Sequence, residues 1–349
     1  MKILAITFLL ILSACSSENS PENSVPQIPV VKNYMSYFTG NKVDKITVPE
    51  GGICLMGGAT ENDEAMKWFL QRADGGDILI LRTSGSDGYN SYLYTSLGIA
   101  VNSVETIVFK NAEAKSDKYI LEKINNAEAI WFAGGDQWEY ISYWRNSPIS
   151  EAINNAIKRK AVVGGTSAGM AIQGGFYFSA QNGTITSQEA LMNPFDTKIT
   201  ISNNPFLDHA LLKDVITDTH YDNPDRKGRH LTFLARIIND YKVQAKGIAC
   251  DEYTSVCIDE KGIARVFGNY PSKEDVAYFI VPNSEIPDNQ PEIFKPNNPL
   301  EWNQGQAAIN VYEIKGTSTG SNTFNLNNWK DGKGGIWKKW FVESGKLKE

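Results

Sequence analysis

Seven short apolar runs through the middle of the chain limit its fold more than any other feature. They are Ile53 to Met56, Ile78 to Arg82, Thr106 to Phe109, Ala129 to Ala133, Ala161 to Val163, Val215 to Ile216 and Gly247 to Cys250. Most lack polar alternation, the pattern of strands covered on both faces of a parallel sheet. Helical segments lie between them. Thr60 stands ahead of Asp63 and the run Ala65, Trp68, Phe69, which reads as a capping box. Ser147-Pro148 offers an N-cap followed by proline at the first helical position, opening a helix through Lys158. Leu231, Leu234 and Ile238 mark one face of a helix ending near Tyr241. Strands alternating with helices predict an α/β fold, a doubly wound and mostly parallel sheet.

The two ends of the chain read differently. Lys2 followed by the apolar run Ile3 to Leu12 has the length of a signal peptide, too short to cross a bilayer. Leu12-Ser13-Ala14-Cys15 then has the form of a bacterial lipobox, with Cys15 as the lipidated residue. This predicts an extracytoplasmic protein anchored to a bacterial membrane. Residues 1–14 are thus read as a signal peptide. Residues 15–42, rich in Ser, Asn, Glu and Pro at their start, are read as a flexible tether. Folded structure is expected from Val43 to Val48 onward, with the main domain over 43–270. After Gly262 the texture turns to Pro, Asn and Gly with scattered aromatics, so 271–349 is expected to be a β-rich extension packed on the core. The net charge of −6 gives no footprint of a nucleic-acid binder. Cysteine spacing fits no metal site, and Cys250 and Cys257 flank a segment that reads as a hairpin and could pair.

The chemistry concentrates at Gly164-Gly165-Thr166-Ser167-Ala168-Gly169. This is a G-x-S-x-G elbow between an apolar run and Met170-Ala171-Ile172, the strand–turn–helix setting that raises a serine above a sheet. A helix start behind Ser167 would offer N–H groups to a developing oxyanion. A serine needs a base, and the chain has three histidines. His209 lies beside a loop and His230 inside a helical pattern. His220 ends the run Val215-Ile216-Thr217, at the carboxyl edge where catalytic groups of open sheets gather. Glu252 closes the last apolar run in the same way. The order Ser167, His220, Glu252 departs from that of α/β-hydrolases, in which the histidine comes last.

The segments LMGGATENDEAMKWFL, GGDILILRTSGSDGYN, FAGGDQ, GGTSAGMAIQG, DTHYDNPDRKGR and IACDEYT, in this order, resemble the cyanophycinase and aspartyl dipeptidase family of serine peptidases. The likeness spans roughly residues 50 to 260 and is strongest to the secreted cyanophycinase-like branch. It implies a flavodoxin-like sheet similar to class I glutamine amidotransferases, and a serine mechanism without metal or cofactor. By motif position it implies Ser167 as nucleophile, His220 as general base and Glu252 as the residue orienting it. The N–H groups of Gly135 and Ala168 would form the oxyanion hole, and Gln137, Asp218, Arg226 and Arg229 would line the substrate pocket. Cyanophycinases cut β-aspartyl-arginine links, so the implied partner is an aspartyl or β-aspartyl peptide; assembly as a homodimer is left open. Arg226 and Arg229, three apart at a helix start, would suit a substrate carboxylate. The chain departs from the family at Thr219, where a glutamine precedes the histidine, and at Pro224, in place of a pocket arginine. These departures motivate the alternative of a catalytically inactive surface-binding lipoprotein. An α/β-hydrolase esterase is a weaker alternative, given the order of the triad.

Overall fold

The computed structural model describes residues 32–349. The expected signal peptide, Cys15 and most of the expected tether lie outside the described residues. Residues 33–349 form one compact unit built on two large sheets.

The first sheet has ten strands. Five parallel ones form its centre, in the order Ser103–Phe109, Asp77–Arg82, Ala129–Phe132, Val162–Thr166 and Ile53–Met56. The chain enters at Ile53–Met56, moves to Asp77–Arg82 and out to Ser103–Phe109, then returns to fill the two places left between. Winding therefore reverses between Asp77–Arg82 and Ala129–Phe132. The connections leaving their carboxyl ends run in opposite directions there, which in open α/β sheets leaves the crevice where ligands bind. The central strands are almost wholly buried, which is why their sequences carry so few polar residues. Helices cover the sheet. Pro148–Lys158 starts with the predicted Ser147 cap, completed by Ser150. Asp63–Gln71 is capped by Asn62, not by Thr60: the Asn62 side chain accepts the Ala65 N–H at 3.1 Å.

The second sheet runs Lys346–Lys348, Gly335–Glu343, Ile309–Lys315, Val276–Pro282, Lys246–Cys250 and Val215–Asp218. Neighbours are antiparallel except the last two, which are parallel and joined by the helix Lys227–Tyr241. The apolar runs at Val215 and Gly247 thus belong to this sheet and not to the first. An apolar run reports burial on both faces but not which sheet supplies its neighbours. The two sheets close on a shared layer in which Leu55, Val256 and Ile258 of one meet Ile248, Ala277 and Ile314 of the other. Phe279 of the second sheet stacks on Phe324 of the first at a centroid distance of 4.2 Å. Each such side chain contributes about 1.5–3 kcal/mol by leaving water.

Two expectations are corrected and a third is refined. Structure begins before residue 43: Tyr34–Gly40 pairs along its whole length with Ser103–Phe109 as an antiparallel edge strand. Val43, Ile46 and Val48 are 70, 88 and 80 % exposed and form no strand. Residues 271–349 are β-rich, as expected, and their strands enter both sheets: Asn322–Asn325 joins the first, while Val276–Pro282, Ile309–Lys315 and Gly335–Glu343 build the second. Cys250 and Cys257 flank no hairpin, because the chain crosses between sheets at Tyr253. Cys257 lies opposite Cys54 instead, with the two free thiols 3.4 Å apart.

Candidate active site

The strand Val162–Thr166 stops at Ser167, whose φ of 54° and ψ of −117° are costly for a residue with a side chain. Surrounding bonds impose the turn. The Ser167 N–H donates to Met56 O at 3.1 Å, and its carbonyl accepts from the N–H groups of Met170 and Ala171, each at 3.0 Å. The helix Ala168–Ala171 then runs back against the sheet, so closely that a Cβ on Gly169 would sit 2.2 Å from the Phe132 carbonyl oxygen. Only glycine fits there.

His220 comes from the other sheet. It lies just beyond Val215–Asp218, at φ 47°, with its N–H donating to Gly57 O at 2.7 Å. Its Nε2 is 2.8 Å from Ser167 Oγ and its Nδ1 is 2.6 Å from Glu252 Oε1. Nδ1–H donating to the carboxylate leaves Nε2 free to accept the serine hydroxyl proton. The imidazole rests on Gly58, where a Cβ would come within 2.3 Å of its Cε1. Glu252 follows Lys246–Cys250, the strand beside that of His220. Its Oε2 accepts from Asn223 Nδ2 at 3.3 Å, and its N–H donates to Asp222 Oδ1 at 2.9 Å. The bond from His220 holds the Glu252 carboxyl below its usual range, so it is charged where it faces the ring.

The turn Gly134-Gly135 flanks the serine. A Cβ on Gly134 would lie 3.5 Å from Ser167 Cβ, and the Tyr140 hydroxyl pins the turn, 2.8 Å from Ala133 O and 3.0 Å from Gly134 O. Gly135, exposed at φ 144°, and Ala168, first residue of the helix, thus stand on either side of the nucleophile. Beside them opens a cavity of about 490 Å³ at the crevice where the winding reverses. Ser167, His220 and Gly134 line it together with Glu61, Arg82, Tyr89 and Tyr92.

Those last four residues went unread in the sequence. Glu61 lies within LMGGATENDEAMKWFL, Arg82 and Tyr89 within GGDILILRTSGSDGYN, and Tyr92 just beyond it; all four stand at or after the carboxyl end of a strand, a position that could have singled them out. The residues expected to line the pocket sit differently. Asp218 and Arg229 are 3 and 4 % exposed and paired with each other, Nε to Oδ2 at 2.9 Å and Nη2 to Oδ1 at 2.5 Å. Burial pushes the Asp218 carboxyl up, yet the Arg229 charge outweighs it and holds the group below its ordinary value. This is a closed bidentate pair with nothing left for a ligand. Arg226, half-buried, donates to Thr219 O at 3.1 Å, and the Gln137 amide donates to Phe178 O. The other histidines are buried away from the serine: His209 pairs with Gln173 at 2.9 Å, and His230 packs edge-on to Tyr221.

A serine hydroxyl, an imidazole and a carboxylate in hydrogen-bonded series, at the carboxyl edge of an α/β sheet, have the arrangement of a serine-type hydrolytic site. Comparison with known proteins gives the family. The model described as Peptidase family S51 matches residues 85–266, more than half of the chain, and the chain belongs to that family. Cyanophycinase of Synechococcus elongatus is 25 % identical over 234 residues, covering 63 % of this chain and 66 % of the relative. Cyanophycinase of Geminocystis herdmanii (strain PCC 6308) is 24 % identical over 228 residues, covering 62 % and 77 %. The chain thus spans just under two thirds of the length of the first of these relatives. A crystal structure of a peptidase from an acI-B1 Actinobacterium aligns with 64 % of this chain and 89 % of its own, at 15 % identity and a TM-score of 0.48.

Proposed function

We propose that the protein is an exported, lipid-anchored serine peptidase that hydrolyses aspartyl or β-aspartyl peptide bonds. The observation that carries the reading is the continuous series Ser167 Oγ, His220 Nε2, His220 Nδ1 and Glu252 Oε1, with separations of 2.8 and 2.6 Å. His220 takes the hydroxyl proton as Ser167 Oγ attacks the peptide carbonyl, and Glu252 stabilises the imidazolium that forms. The N–H groups of Gly135 and Ala168 receive the oxyanion. His220 then returns the proton to the departing amine, and water repeats the sequence on the acyl-enzyme. The substrate class is supported by the cyanophycinases among the relatives, and export and anchoring by the lipobox at Cys15.

The test uses soluble protein starting at Lys32, with Ser167→Ala as control. Release of β-aspartyl-arginine from cyanophycin, or cleavage of isoaspartyl peptides, by wild type alone supports the reading. Failure of a fluorophosphonate probe to label Ser167, together with no peptide cut, overturns it. For the anchor, incorporation of an alkyne-tagged fatty acid into full-length protein, lost in Cys15→Ser, is the expected result.

A further inference from the structure

The cavity lined by Ser167 and His220 is also lined by two groups of opposite charge type, Glu61 and Arg82. They make no ion pair with each other among the described residues. Each is nevertheless held in place. The Tyr89 hydroxyl donates to Glu61 Oε1. The Arg82 guanidinium donates through Nε to Ser84 O and through Nη1 to Ser86 O at 3.0 Å, and lies 5.9 Å over the Tyr89 ring. These bonds occupy Nε and part of Nη1 and leave Nη2 without a partner from them. Burial pushes the Glu61 carboxyl above its ordinary value, and neither Tyr89 nor Arg82 fully offsets that. A cationic group arriving beside Glu61 would relieve the penalty.

Two fixed, unpaired opposite charges in one cavity are complementary to a ligand that carries both signs a few bonds apart. An aspartyl residue with a free amino group is such a ligand, since it bears an ammonium and a carboxylate close to the carbonyl under attack. Of the groups expected to do this work, Asp218 and Arg229 are consumed by each other, and Arg226 donates to Thr219 O and does not line this cavity.

We propose that Glu61 and Arg82 are the specificity-determining pair of this site: Glu61 receives the free ammonium, and Arg82 the carboxylate, of an amino-terminal aspartyl residue. This rests on the peptidase reading above and narrows it to a peptidase that requires an unblocked aspartyl terminus. The carboxylate can be the side chain of an α-linked residue or the α-carboxylate of a β-linked one, since the two present the same chemistry.

The experiment compares wild type, Glu61→Gln, Arg82→Gln and Arg82→Lys. Substrates are an aspartyl peptide, its β-linked isomer, the N-acetylated form, the asparaginyl analogue and a carboxyl-terminal amide. Fluorophosphonate labelling of Ser167 reports in each variant whether the triad is still assembled. Wild type should cleave an aspartyl form and lose at least about 10-fold in kcat/KM on acetylation or on replacement by asparagine. Glu61→Gln should raise KM on the free-amine substrate by about 10- to 100-fold and erase the effect of acetylation. Arg82→Gln should erase the aspartate-over-asparagine preference, and Arg82→Lys should restore part of it. Equal cleavage of free and acetylated substrates by wild type overturns the proposal. So does sensitivity to carboxyl-terminal amidation alone, which would place the two charges on the leaving side. Labelled Ser167 with no aspartyl peptide cut overturns it while leaving the nucleophile standing; no labelling in wild type removes the peptidase reading beneath it.

Discussion

Ser167 and its flanking turn belong to a sheet whose five central strands are parallel and fall within residues 53–166. His220 and Glu252 belong to a sheet assembled from residues 215 to 348, antiparallel but for the one pair of strands that carries them. The nucleophile's half obtains its shape from strand–helix crossovers between consecutive segments. The base's half depends on partners far along the chain, because Lys246–Cys250 is held on its open side by Val276–Pro282, and that strand in turn by Ile309–Lys315. A catalytic series that crosses two sheets is only as precise as the packing between them. The glycines at 57 and 58, where His220 is bonded and seated, mark their closest approach at the site.

The largest effect on this division should come from removing residues 271–349. The strand behind Glu252 would lose its neighbour and the shared apolar layer would lose Phe279 and Ile314. We expect no soluble protein with labelled Ser167; a truncated chain that still cleaves peptide would show the second sheet to be dispensable. Next come the site residues, one from each half. Ser167→Ala should lower kcat by at least about 10⁴-fold, and Glu252→Gln by on the order of 10³- to 10⁴-fold through loss of the oriented imidazole. Equal rates for Glu252→Gln and wild type would leave His220 without need of its partner. A smaller effect is expected from Phe279→Ala, which opens the layer between the sheets and should cost about 3–5 kcal/mol in denaturant unfolding. If the mutant's remaining folded molecules keep full kcat, the intersheet layer stabilises the fold without positioning the triad.

The smallest effect concerns pH and lies wholly in the second sheet's half. Burial pushes the Asp251 carboxyl up to about 8 from its ordinary 3.8, with the nearby Asp222 charge adding to this. Its Oδ1 has no hydrogen-bond partner among the described residues. Between those two values the folded chain keeps a proton that the unfolded chain has released. This group's contribution to stability is therefore present at acid pH and lost as pH rises toward 8. Asp251→Asn should raise Tm at pH 9, with the difference from wild type shrinking steadily as pH falls and closing only near pH 4. A Tm difference independent of pH would contradict that account.

The same contrast explains what could be read from the residues alone. The parallel strands were legible because burial on both faces leaves an uninterrupted apolar run, and the elbow because its glycines and serine fall between such a run and a helix. Gly335–Glu343 alternates exposed and buried residues among lysines, and its partners lie too far away for any local signal. Tyr34–Gly40 escaped notice because it is an edge strand with Tyr34 as its one buried residue. His220 and Glu252 were legible from their places at strand ends. Arg229 misled because helical spacing says which side chains share a face but not that a buried aspartate waits beneath them. Glu61 stands in a loop and Arg82 at the last position of a strand, where no periodicity marks a side chain as lining a cavity.

The late position of the strands that back Glu252 sets a schedule. Synthesis delivers the nucleophile elbow when less than half of the chain exists, whereas the strand flanking the acid waits for residues 276–282 and their own support for residues 309–315 and 335–343. An emerging chain can therefore hold the serine turn while its base still lacks the strands that orient it. The order of synthesis thus keeps nucleophile and base apart until the second sheet is complete.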